Sequence, residues 1–399
     1  MSQPRRPVVA MVSDAIYPYN PGGKELRYHE LTRRLADRAD VHVYTMRWWQ
    51  GPRTRVEDSV TFHAISPLLS MYAGTRRSLK EAALFALACL RLITRRFDVL
   101  EADHIPYLQI IALRLVATVR RKRFVVTWHE VWGPQAWREY LGRPLGTAAW
   151  FTEWLAMRLP DHIIAASAQT AQRLRGVLGE GAQITVAPNG IDLDAVATIT
   201  PDLAGTDLVV VGRLLNHKRV DMLLAAVALL HRDGLPVTCR VIGDGPERER
   251  LHQVARELGI GHAVDFRHDV AEQKDVYALV KSARVFVSPS AREGFGIAVL
   301  EALACGLPVV TTSDPDNLAQ HLAARSARSV VCDPSAPAVA AAVRIVLARP
   351  DAAASLHGVS TDVANPDVAN PDVADPDDAW LADYTWDAIT DLVAGAFNI

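Results

Sequence analysis

Short β-branched apolar runs alternate with longer stretches whose apolar positions recur every three or four residues, almost from one end of the chain to the other. Such alternation predicts βα units wound around parallel sheets. In the first half it predicts strands at Val8–Val12, Val41–Thr45, Val60–Ala64, Val99–Glu101, Phe124–Trp128, His162–Ala166 and Ile184–Val186. The pattern restarts at Leu208–Val211 and continues with Thr238–Ile242, Val264–Arg267, Val285–Ser288 and Pro308–Thr312. A chain of 399 residues is too long for one compact core. Two doubly wound α/β domains are therefore expected, 1–197 and 203–358. The boundary falls between Asp194 and Leu203, where periodicity lapses and Pro201 intervenes.

After the second domain comes a five-residue repeat: Asp362-Val-Ala-Asn-Pro, Asp367-Val-Ala-Asn-Pro and Asp372-Val-Ala-Asp-Pro. Residues before proline avoid helix and little here can be buried, so 359–378 reads as an acidic tether or a tolerated loop expansion. Trp380, Leu381, Tyr384, Ile389, Leu392 and Val393 then return at helical spacing. They predict that 379–399 forms a final helix docked on the body.

Composition is half hydrophobic with a formal net charge of -2, which excludes a wholly disordered chain. The charge is unevenly spread: residues 1–200 hold 26 Lys and Arg against 18 Asp and Glu, and the remainder 17 against 27. A basic first half is suited to an anionic surface such as lipid headgroups. Cys89, Cys239, Cys305 and Cys332 are scattered in apolar stretches without a Cys-x-x-Cys pair, which argues against disulfides and zinc. No run approaches the roughly 20 residues that span a bilayer, and no secretion signal is read. The expected location is cytoplasmic, with the inner face of the membrane as a partner surface.

Chemistry concentrates where strands end. After the first strand, Gly22-Gly23-Lys24-Glu25 opens a helical pattern. Adjacent glycines let backbone approach a ligand, and free N–H groups at a helix start attract anions. Arg213 and Lys218 follow the strand ending at Val211 and would put two cations beside a diphosphate. Gly243-Asp-Gly245-Pro follows another strand; lacking a third glycine, it shapes a pocket wall rather than a dinucleotide fingerprint. The longest such segment passes from a buried strand through Glu293-Gly294-Phe295-Gly296 into the helix beginning Ile297-Ala298 and containing Glu301. Amides near Gly296 to Ala298 can hold phosphate oxygens, while the two carboxylates can accept sugar and ribose hydroxyls.

In this order the motifs resemble those of the retaining nucleotide-sugar glycosyltransferases of family four, the glycosyl transferases group 1. The marks are Gly22-Gly23-Lys24-Glu25, Pro188-Asn189-Gly190-Ile191-Asp192, Gly212-Arg213 with Lys218, Gly243-Asp244-Gly245-Pro246, and the pair Glu293 and Glu301. The resemblance implies a GT-B fold: two Rossmann-like domains facing each other across a cleft, with the C-terminal helix returning to the N-terminal domain. It implies a retaining, metal-independent hexosyltransferase with an acceptor-binding first domain and a donor-binding second one. No cofactor or metal is expected beyond a UDP- or GDP-sugar donor. Arg213 and Lys218 would neutralise the leaving diphosphate, Glu293 bind the donor sugar and Glu301 the ribose. His129, ending Val125-Val-Thr-Trp-His129, matches the family's active-site histidine. Arg219 stands where many members carry glycine; it can add a phosphate contact or cap a surface.

The expected acceptor is a lipid-linked or growing glycan, and no nucleic acid is expected. Acceptor-side candidates are Asp14, Tyr17, Arg76, Arg77 and Trp132. Two regions combine apolar or aromatic anchors with Arg: Arg76 to Arg96, and Trp132 to Trp154. They can lie in a membrane interface or pack internally. The alternatives to transfer are a nucleotide-sugar epimerase of the same fold and a non-catalytic sugar-nucleotide-binding module.

Overall fold

The computed structural model describes residues 5–20, 22–73, 76–270, 272–349 and 376–399. Two units emerge, Met1–Gly190 with Trp386–Ile399, and Ile191–Thr385. The repeat 362–376, apart from its last residue, and most of the 359–378 segment lie outside the described residues.

Eight strands build the first unit's sheet: β1 (Val8–Val12), β2 (Asp40–Met46), β3 (Thr54–Glu57), β4 (Val60–Ser66), β5 (Val99–Asp103), β6 (Arg123–Trp128), β7 (His162–Ala165) and β8 (Ile184–Val186). Their spatial order is β8-β7-β6-β5-β1-β2-β4-β3. All pairs are parallel except the edge pair of β3 and β4. Strands buried on both faces need continuous apolar runs, and all five residues of Val8–Val12 are buried.

Phe85, Ile110, Leu113, Val116, Ala156 and Leu174, from helices Leu79–Cys89, Tyr107–Arg120, Arg143–Ala156 and Ala168–Leu178, cover one face. Ser78 and Ser167 cap two of these helices, accepting from the amides of Glu81 and Thr170. The other face is covered by helix Gly23–Leu35 and by the C-terminal helix Trp386–Phe397, through Tyr28, Leu31, Ile389, Val393 and Phe397. Gly190 admits this last helix: a Cβ there would lie 2.6 Å from the Trp386 ring.

Six parallel strands form the second sheet: β9 (Thr206–Val211), β10 (Cys239–Ile242), β11 (Val264–Arg267), β12 (Ala283–Ser288), β13 (Val309–Thr312) and β14 (Val330–Cys332), in the order β11-β10-β9-β12-β13-β14. Helices Val220–Arg232, Arg248–Glu257 and Ala336–Leu347 pack on one face, Gln273–Lys281 and Ile297–Ala304 on the other. The division between units falls before Ile191 rather than near Pro201. Ile191 and Val196 are buried with Leu279 and Phe286, and the Lys281 ammonium donates to the Ile199 carbonyl at 2.9 Å. Both units thus have the Rossmann-like parallel architecture expected.

Candidate active site

Each sheet reverses its strand order once, and the reversal opens a crevice at the strands' carboxyl ends where ligands bind in such folds. In the first unit it lies between β1 and β5, in the second between β9 and β12. The chemistry-bearing residues gather at these two places.

In the second unit, the chain leaves β9 through Gly212 and Arg213, turns at Asn216–Lys218, and enters helix Val220–Arg232. The exit from β12 runs alongside, with the Ala291 amide donating to the His217 carbonyl at 2.8 Å. Glu293 is held beside the basic turn: its Oε1 accepts from Lys218 Nζ and from Ser290 Oγ at 3.0 Å. Gly212, Arg213, Lys218, Ser290 and Glu293 line one small recess, and Arg213 is exposed. Arg292–Glu293 is also fixed by a two-residue pairing with Asp316–Asn317.

Two glycines make these close approaches possible. Gly243, with φ +137°, would place a Cβ 2.0 Å from the Gly212 carbonyl oxygen, so it brings two strand exits together. Gly296, with φ +92°, precedes helix Ile297–Ala304, where a Cβ would meet that of Ala319 at 2.3 Å. The turn leaves Gly294, Ile297 and Ala298 half-buried and tucks Phe295 against Tyr384, ring centroids 5.9 Å apart. Glu301 is buried on this helix and its Oε1 accepts from Gln273 Nε2 at 2.8 Å and Tyr277 Oη at 3.0 Å. Burial lifts the carboxyl to about 7, against the Tyr277 hydrogen bond.

At the first unit's switch point, Gly22 caps helix Gly23–Leu35, and Lys24 sits in its first turn. The Lys24 ammonium is 2.8 Å from Asp14 Oδ1 and 2.8 Å from Asp103 Oδ2, both carboxylates being fully buried. Burial opposes the charge, but Asp103, Asp14 and Glu25 outweigh it and hold Lys24 above its ordinary range. Arg77 closes on the other oxygen of Asp14 at 2.6 Å. Asp103, although buried, is held far below the usual carboxylate value by Lys24, His104 and His129. Its Oδ1 lies 3.1 Å from His104 Nδ1 and 3.6 Å from His129 Nε2.

Burial drives His129 down to about 3, although Asp103 pulls the other way. The imidazole is therefore neutral near pH 7, a hydrogen-bonding group rather than a cation. Asp103, His104 and His129 each bring one donor atom within 4.8 Å of the others, a spacing that could hold a metal ion. Lys24 already provides a cation at Asp103.

The remaining acceptor-side candidates divide. Arg76 is exposed, while Tyr17 packs on His29 with ring centroids 5.0 Å apart. Asp14 and Arg77 are bound to one another. Trp132 packs on Trp137 at 4.6 Å, and its amide donates to the buried Glu153 at 2.9 Å. Trp137 Nε1 donates to the same carboxylate at 2.7 Å, whereas Trp132 Nε1 donates to Glu130 at 2.6 Å, and both indoles are half-buried. Phe151 remains 60% exposed.

Sequence reasoning missed Asp103, His104, Gln273 and Tyr277. The polar ending of the apolar run Val99-Leu-Glu-Ala-Asp-His104 was a usable signal; nothing marked the glutamine and tyrosine of helix Gln273–Lys281. Arg219 has φ +51° and directly precedes helix Val220–Arg232. This is the left-handed conformation that glycine adopts without cost.

Two family models cover consecutive parts of the chain: Glycosyltransferase Family 4 matches residues 21–195 and Glycosyl transferases group 1 matches residues 201–357. Glycogen synthase of Mycobacterium tuberculosis is 35% identical over 204 residues, 50% of this chain and 48% of that protein. The same organism's GDP-mannose-dependent alpha-(1-6)-phosphatidylinositol dimannoside mannosyltransferase is 36% identical over 144 residues, 36% of each chain. The match thus spans about half or less of these relatives' lengths. A sucrose-phosphate synthase structure from Thermosynechococcus elongatus superposes with a TM-score of 0.77 at 19% identity, covering 98% of both chains. The fold is therefore that of GT-B glycosyltransferases, and the chain belongs to glycosyltransferase family four, the glycosyl transferases group 1.

Proposed function

We propose that the protein moves a hexose-type sugar from a nucleotide-diphosphate donor, UDP- or GDP-linked, to a hydroxyl of a lipid-linked or growing glycan, with retention of anomeric configuration. The observation that carries this reading is the second unit's switch point, where Arg213 and Lys218 share a recess with Glu293. When the bond from the anomeric carbon to the diphosphate oxygen breaks, negative charge grows on the leaving phosphate and positive charge on the sugar. The two cations and the amides of Gly296, Ile297 and Ala298 are suited to the former, as preorganised electrostatics. Diphosphate binding would draw Lys218 from Glu293 and free that carboxylate for sugar hydroxyls. Glu301 would accept from ribose, with Gly243, Gly294 and Phe295 shaping the wall.

The leaving charge is handled by the chain's own cations in this reading, without a metal. On the first unit we assign substrate contact to neutral His129, to the Gly22 and Gly23 turn, and to Tyr17, Arg76 and Trp132. Asp14 and Arg77 would hold that surface in place. The GDP-mannose dependence named for one relative makes GDP-sugars the first donors to try.

The test is a thermal-shift screen of UDP-, GDP- and ADP-sugars. One donor is expected to raise the unfolding temperature, and Lys218→Ala and Glu301→Ala to abolish that rise. Retention of the full rise in both variants would overturn the site. Consumption of donor without acceptor, and without release of nucleoside diphosphate, would point to epimerisation instead.

A further inference from the structure

On one face of the first unit's sheet, helices Leu79–Cys89, Tyr107–Arg120 and Arg143–Ala156 lie side by side over a shared core. Their inward residues are ordinary apolar packing. Their outward residues are not ordinary surface. Eight of the seventeen exposed large hydrophobic residues recorded among the described residues lie on these three helices. Leu84 and Leu87 are 40% and 63% exposed on the first helix, Leu115 and Val119 52% and 56% on the second, and Leu145 and Phe151 58% and 60% on the third.

Spacings of three and four residues put Leu84 with Leu87, and Leu115 with Val119, on one side of their helices, while Leu145 and Phe151, six apart, stand about 120° from one another around theirs. The sequence reading passed over the middle helix, which packs against both of the others.

Charge on this layer is predominantly positive. The three helices carry only two carboxylates, Glu81 and Glu153, and both are buried. The exposed charges on the helices and just after them are Lys80, Arg91, Arg95, Arg96, Arg121, Arg143 and Arg158, together with Asp161, which pairs with Arg114 at 2.8 Å. Ordinary soluble surfaces intersperse both signs and avoid broad apolar patches. An apolar surface bordered mainly by cations, with Asp161 and, on the adjoining helix Gly133–Leu141, Glu139 as exposed carboxylates, matches a lipid leaflet with anionic headgroups, which takes apolar side chains into its interfacial region and attracts Lys and Arg.

We infer that this three-helix face is a docking surface for an anionic membrane leaflet. Leu87, Leu115, Val119 and Phe151 enter the interfacial region, and the Arg and Lys residues meet the headgroups. The inference goes beyond the donor chemistry proposed above and needs no donor for its test.

The full chain is sedimented with vesicles of phosphatidylcholine, with and without phosphatidylglycerol, at low and high salt. Binding is expected with phosphatidylglycerol only, weakened by salt. Leu87→Asp combined with Leu115→Asp should weaken it by roughly tenfold or more, since it adds two charges to the inserted stripe. Both positions are exposed, so the unfolding midpoint should hold. Arg95→Glu with Arg96→Glu leaves the stripe intact and should also weaken binding. Leu203→Asp, at a 92% exposed position of the second unit, should not.

Failure of the native chain to bind, equal binding to both vesicle types, or unchanged binding by the Leu87 and Leu115 variant would each overturn the inference. So would a dimer in light scattering that this variant dissociates while no vesicle binding occurs, because the face would then be covered by a second copy.

Discussion

Lys24 and Lys218 both follow the first strand of their units and reach into a switch point, yet their surroundings differ. Lys24 lies between two fully buried carboxylates, Asp14 and Asp103, with Glu25 3.7 Å away and Arg77 on the other oxygen of Asp14. Lys218 faces the half-buried Glu293, both side chains being partly exposed, and the exposed Arg213 lies on the same turn. One cluster is neutralised by its own chain and holds together strand exits far apart in sequence. The other is a single, partly exposed pair at a strand exit, and in our proposal a diphosphate would compete with Glu293 for its lysine. A lysine at a strand exit therefore has no single meaning; the carboxylates around it decide whether it braces the fold or meets a ligand.

The sharpest test of this contrast is stability. Lys24→Ala leaves Asp14 and Asp103 buried with one fewer cation, and breaking buried pairs in this way costs roughly 3–5 kcal/mol. Lys218→Ala removes a partly exposed pair and should cost about 1 kcal/mol or less. Urea unfolding of both variants checks the prediction, and equal losses would erase the distinction. Asp103→Asn added to Lys24→Ala should recover part of the loss, because it removes a carboxylate left uncompensated.

A second difference is in titration. Asp103 is driven far below the usual carboxylate range, so its charge persists at any working pH. Glu301 is lifted to about 7 by burial. If its carboxylate accepts from ribose hydroxyls, the ionised form binds donor better, so affinity falls as pH drops through about 7. A group titrating there should lose about tenfold in affinity between about pH 8 and pH 6. Glu301→Gln should flatten this component, while the ionisation of the donor phosphate remains common to both proteins. Calorimetric titration of the best donor across that range makes the measurement. An unchanged profile in the variant would remove Glu301 from the donor site.

The same contrast explains what could be read from the chain. Strands buried on both faces were legible because residues such as Val8–Val12 must be continuously apolar. The edge strand Thr54–Glu57 was not, since its sole aliphatic residue, Val56, is 70% exposed. The turn we assign to the donor was legible because its chemistry is local: Arg213 and Lys218 share one loop, and Glu293 to Glu301 one turn and helix. The Lys24 cluster was half-legible. Its glycines and lysine are contiguous, but Asp103 is brought in only by the pairing of β1 with β5. Tyr277 reaches Glu301 from another helix, a relation set by packing rather than by any spacing.

Arg219 gives the smallest effect and separates two roles that the sequence leaves open. Its φ of +51° is a conformation costing a non-glycine residue about 1–2 kcal/mol, partly offset by the chain entropy that glycine adds to the unfolded state. Arg219→Gly should therefore stabilise the protein by about 0.5–1 kcal/mol, a rise of about 1–2 °C in unfolding temperature. Arg219→Ala keeps the strain and removes only the guanidinium, so it should leave stability nearly unchanged. If the side chain contacts the donor diphosphate, both variants lose donor affinity equally, whereas a purely backbone role leaves affinity intact in both. A gain in stability with Ala as large as with Gly would mean that the guanidinium, and not the left-handed turn, carries the strain at the entrance to helix Val220–Arg232.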